Sequence, residues 1–211
     1  MRTGRDISPL LEPPAGGRRP DYASIKALSR AAAGLLLVSG AMMAAQAYLG
    51  GVGVLVPAVV ALAVVASLTW LRLAYRNLAA LGVADTRDSP ASAVAWFVIP
   101  VANWLMTYLV LRDLYTLSHH SDPHGLNQSR SLLIRLWWLC WAAPPVASIL
   151  SLLFFERPGL GTASARAEVL VSFDLSSLAV ASVLGAVIII RVTSLQETSH
   201  RRHENDADAG L

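Results

Sequence analysis

The sequence predicts an all-α integral membrane bundle, with four full transmembrane helices and one proline-broken segment that re-enters the bilayer or lies at its interface. Three observations predict this. Charged residues are 15% of the 211 positions, against about 25% in a soluble domain. The shortfall is concentrated in long charge-free runs, each near the ~20 apolar residues that a span needs. The basic residues flank those runs instead of forming one patch. A formal charge of +3 therefore points to membrane edges, and nucleic acid is excluded as a partner.

Other bulk features narrow the class. Sixteen of the seventeen basic residues are Arg, Lys26 being the lone Lys, and Ala is abundant. This is the usage of a GC-rich bacterial genome. Cys140 is the one cysteine and lies in an apolar run. No internal disulfide can form, and a small buried hydrophobe is its expected role.

In chain order, residues 1–26 read as a disordered cytoplasmic tail, because Leu11-Glu12-Pro13-Pro14-Ala15-Gly16-Gly17 cannot build a core. Residues 27–192 form the membrane-embedded domain. Its first span, Ala27 to Leu49, ends in an Ala-Gln-Ala pattern that resembles a signal-cleavage site. The long polar stretch before it and its full length favour a retained helix. Gly50-Gly51-Val52-Gly53 is a tight uncharged turn into a second span, Val54 to Leu73, with Pro57 tolerated in the first turn. Trp70, Arg72, Tyr75 and Arg76 suit the membrane interface. After the uncharged run Ala91 to Leu111 and a polar stretch to Arg135, a third span runs from Leu136 to Phe155, with a kink expected at Pro144-Pro145. The last span, Val169 to Ile190, ends at Arg191, and residues 193–211 form a charged cytoplasmic tail.

The run 91–111 decides the threading. As a re-entrant or interfacial segment it leaves four spans, with 15 basic residues inside and two outside. As a full span it makes five, with 11 inside and six outside. The positive-inside rule favours four spans, with both termini cytoplasmic in a bacterial plasma membrane. Pro100 agrees. It lacks an N–H, so the Trp96 carbonyl loses its helical partner, and Ile99 is pushed from helical dihedrals. Such a break in lipid is tolerated only where protein or water meets it.

The residues Trp70…Tyr75-Arg76-Asn77-Leu78, Leu81-Gly82, Ser89-Pro90 and Trp96-Phe97-Val98-Ile99-Pro100-Val101-Ala102-Asn103 resemble the bacterial membrane proteins grouped as domain of unknown function 4328. Trp137, Trp138 and Trp141 resemble that family's Trp-rich helix, and the likeness covers about Leu35 to Ile190. The chain departs from it at Phe97-Val98, where the family usually has Trp-Phe, and at Met106-Thr107, where it often has a basic residue or proline. The resemblance implies a multi-span membrane protein and no particular activity.

Candidate polar residues each have two readings. Arg72 and Arg76 either snorkel or bind a lipid phosphate or acidic partner, with Asn77 beside them or simply ending the helix. Asn103 and Thr107 share a helix face and line a polar pocket, or Asn103 satisfies backbone groups freed by Pro100. Asp174 is the one acid inside an apolar span, a candidate for proton or ion work. It also sits near a helix start, where the dipole favours negative charge and Arg157 or Arg166 can pair with it. Ser177, Ala181 and Gly185 read as a packing stripe. His119, His120 and His124, with His200 and His203, lack ligand spacing, so no metal is expected. No nucleophile–base pair, catalytic carboxylate pair or phosphate-cradling loop occurs, and no cofactor is expected. The leading reading is a non-catalytic membrane component that binds lipid, a partner membrane protein or its own copies. The alternatives are a small transporter or channel-like oligomer and, third, a membrane-embedded enzyme.

Overall fold

The computed structural model describes residues 21–49, 53–83, 86–100, 102–118, 127–155 and 163–210. All regular structure among them is helical. The first two apolar runs form α1 (Lys26–Leu49) and α2 (Leu55–Ala80). The proline-interrupted run forms two helices, α3 (Pro90–Val98) and α4 (Ala102–Leu117). Then come α5 (Asn127–Phe155), which remains helical through Pro144 and Pro145, and α6 (Ala163–Asp208). Four helices are long and apolar enough to cross a membrane: α1, α2, α5 over Leu132–Leu153, and α6. This is the expected all-α, four-span architecture, and α3 and α4 are not among the spans.

Two boundaries differ from expectation. The last helix does not stop at Arg191 but continues to Asp208. Nothing from 191 to 208 is a Pro or Gly, so a charge that ends a span does not end the helix. At the other end, residues 1–20 of the expected tail lie outside the described residues, but 21–25 belong to the bundle, with Ile25 buried in the core.

Helix α6 is the central element, packed against α1, α5 and, more lightly, α2. α1 also packs on α2. α3 lies against α2, and α4 lies against α5 and α2, so the broken segment bridges one side of the bundle. Helices α2 and α5 form no extensive contact with each other among the described residues.

Small side chains set the closest approaches, as expected where lipid supplies no hydrophobic drive between helices. A Cβ on Gly40 would lie 3.1 Å from the Ala179 carbonyl oxygen and 3.1 Å from Ser182 Cβ, across the α1–α6 contact. The Ser177–Ala181–Gly185 stripe is a packing surface for α5. Ser177 Oγ donates to the Cys140 carbonyl at 2.7 Å, and a Cβ at Gly185 would meet the Trp137 indole at 3.3 Å.

Gly40→Leu overpacks the α1–α6 contact and is expected to lower stability by about 1–3 kcal/mol. Thermal unfolding in mild detergent reads this as a lower midpoint. Gly34→Leu is the control, because a Cβ there meets nothing within 4 Å.

Candidate functional site

The site begins at the break. Ser89 caps α3, its Oγ accepting from the Ser92 N–H at 3.1 Å, and Pro90 stands where a first-turn N–H needs no partner. Nine residues later the helix ends at Ile99, in extended backbone (φ −80°, ψ 113°), as a residue preceding proline prefers. The Asn103 N–H then donates to the Ile99 carbonyl at 2.8 Å and starts α4. The two arms fold back beside each other. Arg87, just before α3, lies 3.8 Å from Asp113 near the end of α4 and donates to Met106 Sδ at 3.4 Å. Trp96 Nε1 donates to buried Asp88 at 2.8 Å, pinning α3 to its own entry loop. On the far arm, Trp138 Nε1 of α5 donates to the Trp104 carbonyl.

A polar layer ties this hairpin to one end of the bundle. The Tyr75 hydroxyl of α2 donates to the Val110 carbonyl of α4 at 2.8 Å. Gln196 of α6, fully buried, donates to the Ala74 carbonyl at 3.0 Å and to Ser118 Oγ at 3.1 Å. Trp70 Nε1 donates to Thr193 at 2.9 Å. Asn77 clasps the chain before α1, accepting from the Ala23 N–H at 3.2 Å and donating to the Ala23 carbonyl at 2.8 Å. Glu197 accepts from Ser24 at 2.7 Å and pairs with Lys26 at 2.9 Å. Tyr22 stacks on His200, ring centroids 4.1 Å apart. Burial by itself raises the Glu197 carboxyl, but the Lys26 and Ser24 hydrogen bonds and the Lys26 charge outweigh it and hold the group below its ordinary range.

Between α2 and α5 lies an apolar cleft of about 250 Å³. Ala63, Ser67 and Leu71 of α2, Phe97 of α3, and Trp137 and Trp141 of α5 line it, with α1 and α6 behind. The Trp137 and Trp141 rings stack at 13°. Ser67 Oγ is buried without a hydrogen-bond partner among the described residues.

The structure disperses the residues singled out from sequence. Arg72 and Arg76 are exposed on α2, whereas Asn77 beside them is buried and engaged with Ala23. Asn77 is thus a clamp between chain segments, neither a free ligand nor a mere helix end. Asn103 Oδ1 is buried without a partner among the described residues, while Thr107 Oγ1 donates to the Asn103 main-chain carbonyl at 2.5 Å. Asp174 Oδ1 is likewise buried and unpartnered. Arg157 and the Arg166 side chain, its expected partners, lie outside the described residues, as do His119, His120 and His124. No group of three metal-ligating side chains occurs among the described residues.

Sequence reasoning missed Thr193, Gln196 and Glu197, because it ended the last span at Arg191 and assigned residues 193–211 to a tail. A signal was present. Ala181, Ile188, Val192, Gln196 and Ser199 continue one buried helical face across that boundary.

A family model described as domain of unknown function (DUF4328) matches residues 33–194, and the chain belongs to that family. No curated protein and no solved structure matches it.

Two outcomes test the polar layer. Asn77→Ala leaves the Ala23 amide groups without their partner and is expected to cost about 1–3 kcal/mol of stability, read from thermal unfolding. Glu197 binds its proton more weakly folded than unfolded. Its contribution is complete above the ordinary carboxyl value of 4.5 and is lost as pH falls below it through the folded value. The unfolding midpoint should therefore drop on acidification from pH 5, and Glu197→Gln should flatten that part of the profile.

Proposed function

We propose that this member of the DUF4328 family is a non-catalytic multi-pass component of a bacterial plasma membrane that binds lipid or a partner membrane protein through its lateral apolar surfaces. Both termini are cytoplasmic, and α3–α4 is a re-entrant hairpin entering from the cytoplasmic side. The observation that carries the reading is how the buried polar side chains are used. Tyr75, Asn77, Gln196 and Glu197 bond other segments of the chain and so hold the bundle together at one end. The surfaces left for contact are apolar, with Leu62, Val65 and Leu139 each more than half exposed. The Arg87–Asp113 approach at 3.8 Å supports the re-entrant placement, since it brings the two ends of the segment to one level.

A transporter or channel-like oligomer is the second reading, favoured by the unpartnered Asn103 and Asp174 oxygens at membrane depth. One pair of measurements separates the two. Purification from native membranes in mild detergent should yield a defined lipid or protein companion, and Asp174→Asn and Asn103→Ala should leave it in place. Proteoliposome flux that disappears in those same variants would replace the first reading with the second.

A further inference from the structure

We propose that the cleft between α2 and α5 binds one acyl chain of a membrane phospholipid, entering sideways from the bilayer, with the phosphate at Arg72 and Arg76. This deepens the lipid branch of the function proposed above and rests on it. The hairpin explains why the slot exists. α3 runs for nine residues, about 13 Å, and then turns, so no helix stands between α2 and α5 over the rest of their length. Protein interiors are close-packed, and an unfilled slot forfeits dispersion contacts along both walls. Something from the membrane must fill it.

Size suits the occupant. The cleft holds about 250 Å³. An apolar cavity of about 150 Å³ accepts benzene, so a run of methylenes fits here. Length agrees. The α2 residues lining the cleft run from Val60 to Leu71, about 16 Å of helix, which is close to half of a ~30 Å hydrocarbon core and hence to one chain of one leaflet.

The walls suit a flexible chain. Ala63 and Ser67 present small side chains to it, while the stacked Trp137 and Trp141 rings close one side. Arg72 and Arg76 follow Leu71 on α2, both exposed, and their guanidinium groups match a phosphate in planar, bidentate geometry. That places the head group beside the cleft's polar end, the same end at which Asn77 and Gln196 tie the bundle together.

The test uses the full chain in dioleoylphosphatidylcholine vesicles containing a phosphatidylcholine with a diazirine at mid-chain. After irradiation, adducts are mapped by peptide mass spectrometry. Adducts are expected at buried Ala63 and Trp137 as well as at the outward-facing Leu62 and Leu139. Ala63→Phe fills the cleft and should cut the Trp137 adduct at least fivefold while leaving Leu139 unchanged. Ser67→Phe is the second filling variant, should Ala63→Phe fail to fold. Adducts confined to Leu62 and Leu139 in the unaltered chain would overturn the proposal while leaving general lipid contact intact. So would a Trp137 adduct that both filled variants retain, or a dimer in native mass spectrometry whose formation blocks the Trp137 adduct.

Discussion

The missing N–H of Pro100 is the constraint on which the rest of this structure depends. Without it the run 91–111 has the length and composition of a continuous spanning helix. With it, Ile99 takes extended backbone, α3 stops, and α4 starts on the Ile99 carbonyl. The two arms then lie side by side, with Arg87 near Asp113. The cleft between α2 and α5 follows from the hairpin stopping short, and the polar layer follows from both its ends lying beside the end of α2.

A break of this kind in lipid needs neighbours that hold it in one shape, because backbone groups there have no water to turn to. The bonds that do so come from three separate helices. Tyr75 of α2 bonds α4 main chain, Trp138 of α5 bonds the Trp104 carbonyl, and Gln196 of α6 reaches both Ala74 and Ser118. The Trp-rich helix thereby acquires two physical jobs. Trp138 pins the hairpin, and Trp137 with Trp141 walls the cleft.

The fold was legible in the sequence to the extent that hydropathy encodes it. Four apolar runs became four helices of spanning length, and Ile99-Pro100 marked the end of α3, because proline sterics are local. What depended on tertiary pairing was not legible. Asn77 has an exposed arginine as its neighbour and reads as an interfacial polar residue, yet its amide clasps Ala23 from a distant part of the chain. Glu197 follows a charge that ends a span, so composition assigns it to a tail. Its burial depends on Ser24 and Lys26, which no periodicity links to it. The cleft could not be read at all, since it lies between helices that are separate in sequence and depends on how they pack.

The central claim is that the segment enters the membrane and returns to the face it came from. The most direct measurement is the accessibility of its two ends to an impermeant thiol reagent, in intact cells and in inverted vesicles. Arg87→Cys and Gln128→Cys are made singly in a Cys140→Ser background. The account predicts that both cysteines are labelled in inverted vesicles and neither in intact cells. Labelling of the two from opposite sides of the membrane would contradict it and make the segment a fifth span.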